Sequence, residues 1–323
     1  MRIVIYGIGA VGGVIAARLS LAGADVLGIA RGKMLDAVKG AGKLKLTTSE
    51  GVFDAPLKVH ADPSEIDWRG DEAVLLTMKS QDTEAALARL RAVGVYLQPI
   101  VCAQNGVANE RMALRHFPNV YGMTVMLPAQ YSTPGEVECF GAPKNGIFDV
   151  GRIPIDEDAF TRDLSRLFAE ANFDCASDAD VMKNKHGKLL MNVGNMVGAA
   201  LGTKARFGPW YDAARKEAEE VYKAAGIDAG DVDFDSPRRK LMQIVKLPGV
   251  ERTGSSSLQS LLRGTGSIET DFLNGEIVLL GRLNGVKTPV NAALCRVGQK
   301  MIQEKMAPGS FPEAELAALV EAS

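Results

Sequence analysis

The sequence has few cysteines, almost no net charge and no apolar run long enough for a bilayer, and each shortage removes a class of protein. Its four cysteines, Cys102, Cys139, Cys175 and Cys295, are scattered with no CxxC pair. Neither a zinc site nor a disulfide framework is signalled, and a reducing cytoplasm is the expected setting. Lysine and arginine total 37 against 39 acids, a net charge of −2. No chain-wide basic field exists to draw the protein onto nucleic acid or an anionic membrane, so neither is expected as a partner. The most apolar stretch, Ile3 to Ala17, has fifteen residues, is rich in glycine and ends at Arg18. A spanning helix needs about twenty, and no small-residue cleavage site follows to make this stretch a signal peptide. His60, His116 and His186 show no metal-ligand spacing, and no Gly-x-Ser-x-Gly elbow marks a hydrolase. No metal is assigned.

What is present is a chain of 323 residues, 46% hydrophobic and 24% charged, an ordinary globular mixture. At about 150 residues per domain this length predicts two domains, each able to bury its own core. Up to residue 178, short β-branched runs alternate with helical patterns: Ile3-Val4-Ile5, Ala24 to Leu27, Ala73 to Leu76 and Pro99 to Val101. That rhythm predicts a parallel sheet with crossover helices. Between Tyr131 and Gly151 the composition shifts toward Gly, Pro and Thr, and Glu136 to Glu138 and Gly146 to Val150 are expected as antiparallel strands at the sheet edge. Phe160, Leu164, Leu167, Phe168 and Ala171 then recur at helical spacing, with Asp156 placed as cap and Asn172 as stop. From Val181 strand signals nearly vanish, and Thr288-Pro289 reads as a helix cap followed by proline at the first helical position. The expected division is residues 1–178 as an α/β, Rossmann-type dinucleotide-binding domain and 179–323 as an all-α domain.

The dinucleotide assignment rests on Gly7-Ile8-Gly9-Ala10-Val11-Gly12, which directly follows the Ile3 to Ile5 strand and opens a small-residue helix. Gly7 permits the tight turn, Gly9 lets backbone approach a pyrophosphate and Gly12 lets helix and strand pack closely. The alternative is an ordinary glycine-rich turn. A site for NAD would carry an acid at the end of the second strand, but the chain reads Ile29-Ala30-Arg31-Gly32 there. Arg31 offers a planar fork suited to a 2′-phosphate, so NADP(H) is the expected cofactor.

In the helical half, Lys188, Asn192 and Asn195 lie at i, i+4 and i+7, a polar stripe on one helix within an apolar segment. Polar groups on a core-facing helix need partners, and substrate, backbone or solvent would each serve. Glu269 follows Gly264-Thr265-Gly266-Ser267 and precedes a helical pattern, where it either acts on a ligand or only favours the helix dipole. Gly194, Gly198 and Gly202 recur every four residues along one helix side, fitting tight packing inside the domain or a homodimer contact.

Taken in order, several blocks resemble the ketopantoate reductases (2-dehydropantoate 2-reductases), which reduce a branched 2-keto acid with NADPH. They are Gly7 to Gly12 with Arg31, Thr77-Met78-Lys79, Gln104-Asn105-Gly106, Pro134 to Val137, Lys188 to Asn192, Ser256-Ser257, Ile268-Glu269, Leu273-Asn274-Gly275 and Gly285 to Pro289. The likeness runs over nearly the whole chain. It implies Lys188 as the general acid that protonates the carbonyl oxygen, with Glu269 as a catalytic carboxylate orienting ligand and cofactor groups. It implies Asn192 and Ser257 as substrate contacts, with Asn195 beside them, and Asn105 as a contact to both nicotinamide and substrate. Lys79 and Ala129 match cofactor-contacting positions. Three positions depart from the family pattern: His186 stands for a usual Trp, Met196 for a second Asn, with Asn195 one place early, and Gly254 for another Asn. A site built to hydrogen-bond a substrate discriminates strongly, so these changes bear on which keto acid is taken. The same family reading admits a different 2-keto acid, and a non-catalytic NADP(H) sensor is the alternative from another class.

Overall fold

The computed structural model describes residues 1–131, 133–154, 158–230, 237–264 and 266–323. Two compact units emerge, one of residues 1–105, 109–182 and 233–252, the other of 106–108, 183–232 and 253–323.

The first unit is built on strands β1 (Arg2–Tyr6), β2 (Val26–Ile29), β5 (Lys58–His60), β6 (Glu72–Leu76), β7 (Ile100–Cys102), β8 (Val120–Met126), β12 (Ile147–Arg152) and β13 (Asp174–Ser177). They form one sheet in the order β13-β12-β8-β7-β6-β1-β2-β5. From β5 to β8 every pairing is parallel, β12 runs antiparallel to β8, and β13 is parallel to β12. Both faces of this sheet are covered, which explains the continuous apolar runs. Ile3, Ile5 and Leu75 face one core, while Val4, Val74 and Leu76 face the other.

The first core also takes side chains from helix α1 (Ala10–Leu21), helix α5 (Ala159–Glu170) and a second sheet. That sheet runs β4-β3-β10-β9, from β3 (Lys43–Thr48), β4 (Gly51–Pro56), β9 (Ala129–Gln130) and β10 (Glu136–Cys139). The stretch Glu136 to Glu138 is therefore not at the edge of the main sheet; it pairs in parallel with β3. The second core is closed by α3 (Thr83–Ala92) and α4 (Asn109–Leu114), while α2 (Gly32–Ala41) packs near β3 and β5.

One expectation at α5 needs correction. Asp156 lies outside the described residues, and the cap is Asp158, whose carboxylate accepts from Thr161 N at 3.0 Å while Thr161 Oγ1 accepts from Asp158 N. The helix ends at Glu170, and Asn172 takes a left-handed conformation at φ 65°, the role it was expected to play.

The segment 233–252 returns to the first unit, whereas the sequence pattern placed everything after 178 in the helical domain. Strand β14 (Met242–Ile244) pairs antiparallel with β11 (Gly141–Pro143). Arg238 reaches Asp149 and Asp174 and donates to Phe148 O at 2.7 Å. Three residues of strand are too short to leave a period in the sequence, and the anchor is a long-range ion cluster.

Among its described residues the second unit contains only helices: α6 (Val181–Asn192, mostly within this unit), α7 (Gly194–Leu201), α8 (Pro209–Ala225), α9 (Ser256–Leu262), α10 (Asn274–Leu283), α11 (Pro289–Gln303) and α12 (Glu313–Glu321), with short 3₁₀ turns. No described helix is long and apolar enough to cross a membrane. Gly194 and Gly198 are closed inside the unit: a Cβ on Gly194 would lie 2.7 Å from the Tyr211 ring, and one on Gly198 3.0 Å from Arg206 Cβ. Gly202 is off the helix, capping α7 at φ 99°. Thr288 occupies the cap position of α11 without a side-chain cap bond; Glu217 of α8 accepts from Val290 N at 2.8 Å and Asn291 N at 3.0 Å instead.

Candidate active site

In the first unit the glycine loop connects β1 to α1. Gly7 has φ 113°, and a Cβ there would lie 2.7 Å from Met78 N. At Gly12 a Cβ would be 2.2 Å from Gly7 O and 2.4 Å from Thr77 Oγ1, so the helix sits against the turn with no room for a methyl group. Gly9 is different: among the described residues nothing lies within 4 Å of its Cβ position. The loop is thus filled on its inner side and open on its outer side.

The amides divide in the same way. Gly7 N and Ile8 N both donate to Ile29 O, at 3.0 and 3.3 Å, and Gly9 N donates to Gly7 O at 2.8 Å. The Ile8 side chain is buried under Gly28, where a Cβ would come within 2.9 Å of it. Ile8 therefore shapes the loop from inside. The amides of Ala10, Val11 and Gly12 begin the helix, where no intrahelical acceptor exists, and Gly9 provides no side-chain cap. The first turn holds no acidic residue. An open cradle of amides at a helix N-terminus fits the pyrophosphate of a dinucleotide.

Residues around the loop come from neighbouring strand ends. Thr77, just past β6, donates from Oγ1 to Gly7 O at 2.8 Å and so fixes the turn from below. Lys79 precedes the 3₁₀ turn Ser80–Asp82. Asn105 follows β7, and its carbonyl accepts from buried Asn109 Nδ2 at 3.2 Å. Asn109 also bonds Ser80 and Thr83, and Thr83 accepts from Gln104 Nε2 at 2.8 Å. This buried network ties the turn after β6 to the loop after β7. Ala129 is half-buried in β9 of the second sheet, which packs against α1. Arg31 stands at the end of β2 with its side chain 84% exposed and its guanidinium 2.8 Å from Asp82 Oδ2.

In the second unit, Lys188, Asn192 and Asn195 do not share one helix. Lys188 and Asn192 lie on α6, Asn195 on α7, with a break at Val193. Val193 keeps right-handed helical angles and its amide still donates to Leu189 O, so the direction of the stripe survives. Sequence reasoning missed a tertiary hydrogen bond at the break. Asn274, which opens α10, donates to Val193 O at 3.0 Å and to Asn291 Oδ1 at 2.9 Å, and Asn291 is held by Ala214 O and Glu217. The only signal was Asn274 itself, in the Leu273-Asn274-Gly275 block.

Lys188 is half-buried, while Asn192 and Asn195 are 7% and 4% exposed. Asn195 Nδ2 approaches Asn192 Oδ1 at 3.5 Å. Among the described residues, Asn192 Nδ2 and Asn195 Oδ1, one donor and one acceptor, have no hydrogen-bond partner. Such atoms are costly to bury and identify a place where a ligand can bond. Ser257 is buried near the start of α9, a helix that contacts α7, and Glu269 is buried at the start of the 3₁₀ turn Glu269–Phe272. Thr265 lies outside the described residues.

The three departures each have a local setting. Met196 points into the core, where its Sδ accepts from Thr270 Oγ1 at 3.5 Å and lies 3.3 Å from where a Gly298 Cβ would stand. His186 stacks edge-on against Tyr222 at 5.1 Å, and burial, aided by the Lys185 charge, pushes its pKa down to about 4. Gly254 takes φ 103°, a conformation that an asparagine adopts only with strain.

This arrangement defines a Rossmann-type dinucleotide-binding protein with a separate helical unit carrying buried, unsatisfied polar groups. The family model for "Ketopantoate reductase PanE/ApbA" matches residues 3–154 and that for the family's C-terminal part matches 180–301. The chain belongs to the ketopantoate reductase family and is an oxidoreductase of the CH–OH/C=O class.

A 2-dehydropantoate 2-reductase of Pyrococcus horikoshii is 28% identical over 298 residues, covering 91% of this chain and 95% of its own. The structure of a PanE/ApbA family ketopantoate reductase from Ralstonia eutropha JMP134 aligns with TM-score 0.76 at 25% identity, over 94% of this chain and 99% of that one. D-mandelate dehydrogenase, solved with NADH and anilino(oxo)acetate, aligns with TM-score 0.78 at 19% identity over 94% and 99%, a likeness of fold.

Proposed function

We propose that the chain reduces 2-dehydropantoate to pantoate with NADPH. The observation that carries this reading is the buried pair of unsatisfied carboxamide atoms, Asn192 Nδ2 and Asn195 Oδ1, on the polar run that bears Lys188. A donor and an acceptor side by side suit a small oxygenated acid, and the curated relatives named 2-dehydropantoate 2-reductase support the choice.

When bound, the dihydronicotinamide supplies a hydride to the carbonyl carbon. Lys188 Nζ gives the proton to the carbonyl oxygen, so that one hydride and one proton convert the ketone to an alcohol. Asn192, Asn195 and Ser257 hold the substrate's polar groups, and Glu269 orients ligand and cofactor. The amides of Ala10, Val11 and Gly12 hold the pyrophosphate, with Lys79, Asn105 and Ala129 lining the rest of the dinucleotide. Arg31 receives the 2′-phosphate, which is the basis for NADPH over NADH. The catalytic assignments of Lys188 and Glu269 rest on their match to the family pattern.

A second 2-keto acid is favoured by one observation: Met196 is turned into the core, so the polar group the family usually has there is lost. NADPH oxidation followed by absorbance, with 2-dehydropantoate and a panel of 2-keto acids, and repeated with NADH, tests both readings. Turnover of 2-dehydropantoate above the others is expected. Turnover of a different acid would move the substrate, and tight NADPH binding with no turnover of any would support a sensor.

A further inference from the structure

The fork of Arg31 is already engaged. Its Nη2 lies 2.8 Å from Asp82 Oδ2 and its Nη1 3.4 Å from Asp82 Oδ1, an end-on bidentate pair. Asp82 is the better anchored partner: its amide donates to Lys79 O at 2.9 Å, and its side chain is 33% exposed against 84% for Arg31. Asp82 also stands at the cap position of α3 without making a cap bond, so its carboxylate is not employed in holding the helix.

A second pair, Arg89 with Asp62, stands close by, and all four charges bear on the Tyr6 hydroxyl at the end of β1. Two cations and two anions cancel. A subsite for a phosphate dianion is expected to carry net positive charge, and here the arginine best placed to supply it is neutralised by a neighbouring carboxylate.

We propose that Asp82 is a specificity-determining residue that narrows the preference for NADP(H) over NAD(H). This rests on the reading that Arg31 meets the 2′-phosphate. A 2′-phosphate must take the fork from Asp82 and then lie beside a like charge. A 2′-hydroxyl can donate a hydrogen bond to the same carboxylate. One ion pair thereby weakens the phosphate-bearing cofactor and assists the other, and it does so from the turn after β6 rather than from the end of β2, where an acid that selects NAD is usually sought.

Calorimetric titration of NADP⁺ and NAD⁺ into the whole protein tests this without relying on turnover. In Asp82→Asn the carboxylate becomes a neutral amide of the same shape. NADP⁺ should bind about tenfold more tightly and NAD⁺ no more tightly than before, as removal of one like charge near a dianion implies. Asp82→Glu keeps the charge and should stay within about threefold of the parent ratio. If Asp82→Asn leaves the ratio of the two dissociation constants unchanged while Arg31→Ala weakens NADP⁺ selectively, the role of Asp82 is overturned and that of Arg31 stands. If Arg31→Ala also leaves the ratio unchanged, the fork does not meet the phosphate and both assignments fall.

Discussion

The glycine loop and the polar run of α6 and α7 are the two candidate ligand sites, and they are made of different material. The loop is made of backbone: amides at the start of α1, with glycines where a Cβ would collide at 2.7 Å or less. The run is made of side chains whose meaning depends on their neighbours, such as Asn192 Nδ2 and Asn195 Oδ1, buried and unpartnered. A backbone site leaves its requirements in the sequence as residues that are missing a side chain. A side-chain site leaves only residue types that serve equally well elsewhere.

The largest expected effect separates the two kinds of glycine. Gly12→Ala forces a methyl group against Gly7 O and should destabilise the first unit by about 3 kcal/mol, read as a lower midpoint in denaturant. Gly9→Ala, with open space around its Cβ, should leave that midpoint unchanged and weaken dinucleotide binding by about tenfold. Equal destabilisation by both would break the distinction between an inner and an outer side of the loop.

On the side-chain site, Lys188→Ala should lower kcat by on the order of 10²-fold while NADPH affinity changes little, as loss of a general acid requires. An unchanged kcat would remove Lys188 from the chemistry.

His186 gives a pH signature to the helical unit. Its folded pKa, about 4, lies below the ordinary 6.5, so the unfolded chain binds the extra proton first. Its contribution is present above pH 6.5 and is lost as pH falls toward 4, amounting to about 2 kcal/mol between 6.5 and 5. Denaturant unfolding of His186→Phe should be flatter over that window than the parent, and parallel curves would refute it.

The smallest effect is at Arg31. Arg31→Ala should weaken NADPH by about tenfold and NADH much less, because only NADPH carries the 2′-phosphate.

The same contrast explains what could be read in advance. The strands Ile3 to Ile5 and Ala73 to Leu76 were visible because both faces of their sheet are buried, and the helix after residue 158 because its apolar side repeats at 3.6 residues. The exact cap was not, because a pattern does not separate Asp156 from Asp158, and Asp158 is identified by its bond to Thr161. The bond at the Val193 carbonyl was invisible for a related reason: its donor, Asn274, lies 81 positions away. Glu217 capping α11 and Arg238 clamping Asp149 and Asp174 are likewise tertiary, with no local period to announce them. At the site, Gly7, Gly9 and Gly12 were legible as a set, whereas Arg31 was legible only as a cation. Its engagement by Asp82, 51 residues away, required the fold.

The most direct test of the central claim is to follow the hydride itself. The protein is incubated with 2-dehydropantoate and NADPH bearing deuterium at the transferred C4 position, and the product is analysed by mass spectrometry. The account predicts pantoate carrying the deuterium on the former carbonyl carbon. Bound NADPH with no labelled hydroxy acid formed would contradict it.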